Sequence, residues 1–518
     1  LIRKASFKMI GQRRCWKQIV LWKIIPEGCP NFARWIFCLF LPSPDTSYLE
    51  KSDVQTLTSL RLIVNLYRSL ISIMGKAVTL TNIKKYRKDF NSSSTAKLSM
   101  NAATRTDVRK LAMNWDAFRQ IDHTFSNKVS GEMKATSQNR SGRCWGFAGL
   151  NLLRVYLGRK YKLKNFEFSQ NYFMFYDKLE KANYFLENII ETAEEATDSR
   201  LVMHLLSSPV QDGGQWDMFV NLLKKYGTVP KKVMAESHQS SNSAQMNKLV
   251  TRKLRGFAID LRAAHSKGKS ASVLRGMKDD MLSTIYKMLC ISLGTPPEKF
   301  DWSIRDKKNK FQRFTDLTPK KFYGEHVGIE LDDFVCLIND PRSFTDYNMT
   351  YTVEFLGNVH GGNIIRYLNL ENDELKKYSI KSIKANDPVW FGCDVGKFFT
   401  REYGLMDMNL FEFDRFYGTE FKMNKAERLE YGDSVMTHAM LFTGVDLKDN
   451  KPVKWRVENS WGADHGEKGF DIMSDSWFGE FMYEVVIHKK HITKKLAELY
   501  DMEPIKLPPW DPMGSLAH

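Results

Sequence analysis

Cys144 follows a short turn, Ser141-Gly142-Arg143, and opens a stretch in which Trp145, Ala148, Gly149, Leu152, Leu153 and Tyr156 recur at the spacing of one helix face. The cysteine therefore sits at a helix N-terminus, where unpaired N–H groups and the helix dipole favour a thiolate over a thiol. Taken alone, such a cysteine is more often a small buried core residue. A sulfur nucleophile also needs a base, and the base needs a group that orients it. His438 stands in Met436-Thr437-His438-Ala439-Met440, which reads as a strand with Met436 and Met440 on the histidine's own face. A lone histidine there is usually a satisfied core residue. Downstream, Trp455-Arg456-Val457-Glu458 reads as a strand that runs into a turn at Asn459-Ser460-Trp461-Gly462. The side-chain carbonyl of Asn459 can accept from an imidazole N–H and fix its tautomer, and Trp461 is placed to shield that hydrogen bond from water. Cysteine, histidine and asparagine thus follow in an order and in local settings that suit nucleophilic attack by sulfur on a carbonyl.

Other constellations are weaker. Gly392 to Lys397 has only three residues between its glycines and Phe398 after the lysine, so it is not a phosphate-binding loop. Asp464-His465-Gly466-Glu467 is too short to hold a metal and reads as a solvated turn. No cofactor or metal site is expected. The seven cysteines, Cys15, Cys29, Cys38, Cys144, Cys290, Cys336 and Cys393, show no paired or zinc-like spacing, which fits free thiols in a reducing compartment.

The chain around these residues has 518 positions, 43% of them hydrophobic and 26% charged, an ordinary globular balance. The apolar run Trp35–Leu41 is far short of the roughly 20 residues a membrane span needs. Leu57–Met74 is apolar at helical spacing but carries Arg61, Asn65 and Arg68, which reads as an amphipathic helix. Residues 1–73 hold eleven Lys/Arg against four Asp/Glu, so +7 of the +17 net charge lies there. They read as a basic extension outside the catalytic fold, with organelle targeting as the alternative. Met74-Gly75 would be a natural start, and Met74 to Thr79 matches the loose myristoylation pattern. From about 80 onward, helical patterns over 80–120, 144–158, 170–190 and 246–287 precede strand-like alternation at 351–355, 434–445, 453–457 and 483–488. Helices first and strands later, without regular alternation, predict an α+β fold.

The segments Gln138 to Trp145, Thr437 to Met440 and Val457 to Gly462 resemble those of the bleomycin hydrolase family, the cytosolic branch of the papain-like cysteine peptidases. So do Asp212-Gly213-Gly214-Gln215-Trp216-Asp217, Asn339-Asp340-Pro341-Arg342, Trp390 to Lys397, Met423 to Leu429 and Pro509-Trp510-Asp511-Pro512-Met513-Gly514. The resemblance covers roughly 80 to 518. It implies a papain-like α+β fold with Cys144 as nucleophile, His438 as its base, Asn459 as the orienting group and Gln138 as the oxyanion-hole amide. It further implies a cytoplasmic homohexamer that hydrolyses N-terminal residues from peptides and amide-containing small molecules, with homocysteine thiolactone as a further candidate substrate. Its active sites would face an inner chamber.

Cys144 and His438 lie 294 residues apart, against roughly 130–150 in secreted papain-like enzymes, so a helical insertion is expected over about 185–320. No signal peptide, disulfide pattern or propeptide accompanies the motif, which argues against a lysosomal endopeptidase. In the family a C-terminal arm, here 505–518, lies in the cleft and its carboxylate meets the substrate's α-amine. Trimming of the last residue would remove His518 and expose the carboxylate of Ala517. The family also has members that bind DNA or RNA through a basic channel, and Met246–Lys287, with ten Lys/Arg against three Asp/Glu, is the candidate lining. A nucleic-acid-binding ring with incidental peptidase activity is therefore the alternative to an aminopeptidase. Two departures from the family stand out. Gly146 replaces a bulkier residue, which should remove a packing contact behind the nucleophile. Asn139-Arg140 replaces a Lys-Ser pair in the expected cleft wall.

Overall fold

The computed structural model describes residues 77–119 and 122–517, together with a pair of two-residue strands, Lys4–Ala5 and Leu21–Trp22. The rest of the basic stretch 1–73, the Met74-Gly75 start and His518 lie outside the described residues. The chain divides into two units, 1–93 and 94–518. In the first, Thr79 and Asn82 form a capping box that opens the helix Leu80–Ser92. The second carries all the described residues singled out above.

Its centre is a twelve-stranded sheet. The strand order is Phe399–Thr400, Leu405–Met406, Phe470–Ser474, Lys451–Glu458, His438–Lys448, Val389–Cys393, Met482–His488, Phe334–Ile338, Tyr367–Asn369, Thr350–Val353 and Ile505–Leu507, with Asn127–Lys128 also paired to His438–Lys448. Most neighbours are antiparallel. Phe334–Ile338 and Val389–Cys393 escape a search for alternation because every one of their residues is buried. With both faces of the sheet covered, the polar half of the pattern is gone.

One face packs on the helix Cys144–Lys160, whose Trp145, Leu152, Leu153 and Leu157 are fully buried. The other packs Leu375, Tyr378 and Ile383 of the helix Asn372–Lys384 and Trp477 and Phe478 of the helix Asp475–Phe481. The fold is α+β, with helices on both faces of a mostly antiparallel sheet. Between 185 and 320 lie the helices Arg200–Ser207, Trp216–Tyr226, Ala244–Ser266 and Ala271–Leu293 and the hairpin Phe300–Arg305/Phe311–Leu317. The two long helices pack on Gln170–Glu191 to form a separate core around Phe175, Leu186, Leu254, Ile285 and Leu289. The helix expected over 246–287 is thus two. Gly268 takes a left-handed φ of 76° and the Ser270 side chain caps the second helix at Val273.

Glu484, in the middle of this sheet, is fully buried, with the Cys336 thiol against its carboxyl group. Burial pushes it up to about 8 against a smaller opposing effect of the Cys336 thiol. Burial likewise pushes Asp217 up to about 7, opposed by the N–H and charge of Arg366. The unfolded chain releases these protons near pH 4. The folded state therefore binds more protons between about pH 4 and about pH 8, and its stability falls as pH rises through that window. Glu484→Gln should flatten the fall in Tm between about pH 5 and about pH 9, raising Tm at the alkaline end by about 2–4 °C. Parallel thermal-unfolding curves for the two proteins across that range would show that Glu484 does not carry the effect.

Candidate active site

Cys144 is the first residue of its helix. The turn before it is moulded on Asp212. Gly142 N–H donates to Asp212 Oδ2 at 2.9 Å, and Trp145 Nε1 donates to the Asp212 carbonyl at 2.6 Å. Burial works against the Asp212 carboxylate. Lys178 Nζ at 2.7 Å, Ser243 and Asn247 nevertheless hold it well below the usual carboxylate range. A Cβ on Gly214 would come within 2.5 Å of the Trp145 ring. Gly146 does not leave the gap expected of it. A Cβ there would sit 2.4 Å from the ring of Phe173, which packs edge-on against Trp145. The space a larger residue would use is filled from the neighbouring helix. Asn139 and Arg140 are exposed, and Asn139 adopts a left-handed φ of 52°, which asparagine tolerates.

His438 is the first residue of its strand, and its Nε2 lies 3.0 Å from Asn459 Oδ1. Met440, two residues along the strand, shares its face, but Met436 does not. Met436 precedes the strand and packs on the helix side of the sheet, whereas Met440 packs on the other. Asn459 Nδ2 donates to Asp471 Oδ2 at 2.9 Å, and Ser460 N–H donates to Asn459 Oδ1 at 2.8 Å. These two bonds fix which end of the amide faces the imidazole. With the carbonyl turned to His438, Nε2 carries the proton and Nδ1 is left as the basic nitrogen. The Trp461 ring lies 4.8 Å from that of His438. Asp464 and Glu467 are exposed in a turn as expected, but His465 between them is buried, 3.4 Å from Asp471 Oδ1.

Arg154 of the nucleophile's helix pairs with Glu458, the residue before Asn459, and both are almost wholly buried. The Ala439 N–H, next to His438, bonds the Cys144 sulfur. Gln138 spans the two sides. Its Nε2 donates to the Ser141 carbonyl at 2.6 Å, and its Oε1 accepts from the Ser460 hydroxyl at 2.6 Å. One N–H of that amide then remains for a ligand.

Burial pushes the Cys144 thiol up to about 11, outweighing the N–H groups of Ala439, Trp145 and Cys144 itself, and pushes the His438 imidazole down to about 4. The N–H groups at the helix start favour the thiolate, and with both residues only 4% exposed the loss of water works against it.

Part of that cover is the C-terminal segment. Met513 and Leu516 are buried in the same core as Cys144, Met436 and Ala439, and the Ser515 hydroxyl donates to the Met436 carbonyl at 2.8 Å. The segment is not an extended arm throughout. Ile505–Leu507 joins the sheet beside Thr350–Val353, and Pro512–Ala517 closes into a 3-10 helix begun by Asp511, whose Oδ1 accepts from Met513 N–H at 2.9 Å.

The sequence reading missed Asp471, Ser460 and the Arg154–Glu458 pair. An aspartate between Phe470 and Ile472 of a buried strand was the one available signal for Asp471. Asp471→Asn frees the Asn459 amide to turn, so kcat should drop by about 10–100-fold with KM little changed, as expected for loss of an orienting hydrogen bond. An unchanged kcat in the folded variant would show that Ser460 alone orients Asn459. Gly146→Ala drives a methyl into the Phe173 ring and should lower stability by about 1–3 kcal/mol, read by denaturant unfolding. An equally stable variant would mean that Phe173 can move aside.

The sequence model of the Peptidase C1-like family matches residues 77–514. Aminopeptidase C of Listeria innocua is 44% identical over 444 residues, covering 86% of this chain and 100% of that protein. Human bleomycin hydrolase is 45% identical over 429 residues, covering 81% of this chain and 94% of that protein. The crystal structure of PepW from Lactobacillus rhamnosis HN001 superposes with a TM-score of 0.83 at 44% identity, over 85% of this chain and 99% of that one. A cysteine at a helix start, a histidine at the start of a strand with an asparagine just past the end of the adjoining one, and relatives of this kind over most of the chain lead to one conclusion: the chain belongs to the Peptidase C1-like family of cysteine peptidases.

Proposed function

We propose that the protein is a cysteine aminopeptidase that removes N-terminal residues from peptides by acyl transfer to Cys144. As the sulfur attacks the carbonyl carbon, the thiol proton passes to His438, which then donates it to the leaving amine. Asn459, held by Asp471 and Ser460, keeps the imidazole in the required tautomer. The free N–H of Gln138 and the Cys144 backbone N–H receive the oxyanion, each donor being typically worth about 3 kcal/mol. Water then releases the acyl group. Amide-containing small molecules and homocysteine thiolactone fit the same carbonyl chemistry.

The observation that carries the exopeptidase reading is the bond from Ser515 to the carbonyl of Met436, two residues before His438. It supports a terminus that enters the cleft and stops longer chains. A terminal carboxylate there, on Ala517 once His518 is trimmed, would meet the substrate's ammonium. A charge-assisted hydrogen bond of about 1.5–3 kcal/mol corresponds to a preference for a free amine of about 10- to 100-fold.

Self-assembly is supported by Leu249, Ile259, Val273 and Ile291, all exposed along the helix pair 244–293 and suited to packing on a second copy, as in the proposed hexamer. The free thiols of Cys290, Cys336 and Cys393 fit a cytoplasmic setting. Of the ten cations behind the nucleic-acid alternative, Arg255 donates to the carbonyls of Leu206 and Ser207, Arg262 to those of Thr192 and Glu195, and Arg275 and Lys278 pair with Glu187. The other six, Lys248, Arg252, Lys253, Lys267, Lys269 and Lys287, are exposed.

Cys144→Ala should abolish turnover of fluorogenic aminoacyl amides and keep His518, whereas the active enzyme should end at Ala517 by intact mass. Turnover within about tenfold of wild type would sink the nucleophile assignment. Deleting 515–518 should let N-acetylated peptides be cleaved at rates near those of their free-amine partners. A deletion variant that still rejects the acetylated peptide would rule out the arm as the selective element.

A further inference from the structure

Two segments 169 residues apart meet where the C-terminal arm begins. Arg342 Nη2 donates to Asp511 Oδ1 at 2.9 Å and Oδ2 at 3.1 Å, and to Asp340 Oδ2 at 2.6 Å. Arg342 Nε donates to the same Asp340 carboxylate at 2.9 and 3.1 Å. All three side chains are at most 5% exposed. Asp340 already neutralises Arg342 through its own turn, so Asp511 is a second carboxylate brought into a buried site. Burying another charge costs more than an isolated pair needs, and such clusters are poor stabilisers but can fix one register.

What Asp511 fixes is the path of the arm. Its Oδ1 also accepts from Met513 N–H at 2.9 Å, which starts the 3-10 helix. The Met513 carbonyl then accepts from Tyr367 Oη at 3.2 Å and from Gln215 Nε2 at 3.3 Å. Two residues on, Ser515 reaches Met436. On the near side, the guanidinium of Arg200 lies 3.7 Å from the Trp510 ring centroid, a cation–π contact with the residue before Asp511. Trp510, Met513 and Ser515 are thus held from outside the arm, and the Gly514 N–H by the Asp511 carbonyl at 2.9 Å.

We propose that the Arg342–Asp511 pair, backed by the Arg200–Trp510 stack, sets how far the arm reaches into the cleft and so fixes the enzyme's preference for a free α-amine. The proposal rests on the reading of the arm as the cleft's occupant. Arg342 and Asp511 are positioning residues: they act through the terminus and do not touch substrate. A slack arm would place the carboxylate over a range of positions, which weakens binding of the ammonium and admits blocked chains.

The test is kcat/KM for matched free-amine and N-acetylated peptides in wild type, Asp511→Asn, Asp511→Glu, Trp510→Ala and the 515–518 deletion, with thermal unfolding of each. Asp511→Asn should lower the free-amine to acetylated ratio by about tenfold or more, chiefly through a higher KM for the free amine, and Asp511→Glu should restore part of it. Trp510 is 37% exposed, so Trp510→Ala should fold and lower the ratio in the same direction. A loss of Tm alone, with the ratio intact in both Asp511→Asn and Trp510→Ala, would overturn the proposal and leave a merely structural anchor. If Asp511→Asn does not fold, the Trp510→Ala ratio decides. A deletion variant that keeps the ratio would instead overturn the reading of the arm itself, so the two failures are distinct.

Discussion

The buried pair between Arg154 and Glu458 is the contact on which the active site depends. Cys144, the proposed nucleophile, stands on a helix and His438, its proposed base, on a sheet, and helix and sheet have to be held at one separation for a proton to pass between them. Arg154 lies ten positions beyond Cys144, and Glu458 is adjacent to Asn459. Arg154 Nη2 also donates to the Lys134 carbonyl at 2.9 Å, which ties in the strand-like approach to Gln138. Removing either partner would leave a charge with no water and no counterion, at a cost of about 3–5 kcal/mol. The pair is thus a demanding way to join two layers, and it permits little variation in their spacing. The other distinctive segments join at similar points. Trp390 Nε1 donates to the Trp145 carbonyl at 3.1 Å, and Lys425 Nζ donates to Asn339 Oδ1 at 2.7 Å beside the Asp340–Arg342 turn.

Burial shapes the chemistry as strongly as it shapes the scaffold. A helix N-terminus favours a thiolate, yet the same site is packed by Met513, Leu516, Met436 and Trp461, and the desolvation of sulfur outweighs the nearby N–H groups. The helix start and the packing thus act on the sulfur in opposite directions. The arm proposed to exclude long chains is packed in the same core as Cys144, so in that reading selectivity and reactivity share one structural element.

Position 146 shows how a correct local observation can lead to a wrong inference about packing. Glycine in a helix interior removes a side chain, and from the sequence that reads as a lost contact. In the folded protein the ring of Phe173, from a helix that begins at Gln170, occupies the volume. Which residue fills a space is a property of the packed pair, and no spacing along either helix reveals it. His465 is a similar case: its polar neighbours read as a turn in water, but the close approach of Gly404 and Gly466 brings Asp471 and His465 under cover.

Local chemistry singled out Cys144, His438 and Asn459 as candidates, and the resemblance assigned them their roles. Each sits at an element boundary that neighbouring residues define: the turn before Cys144, the strand beginning at His438 and the strand ending before Asn459. Helices with one apolar stripe and strands with alternating faces were legible for the same reason, since their periodicity records a single buried side. The strands Phe334–Ile338 and Val389–Cys393, buried on both faces, carry no such record. Only the tertiary structure decided which way the Asn459 amide points, because Asp471 and Ser460 settle it. It alone showed the burial that opposes a charged Cys144 and a charged His438, because desolvation depends on what covers them. It alone brought Asp511 to Arg342 across 169 residues, because such a contact arises from the path of the chain and not from any local preference.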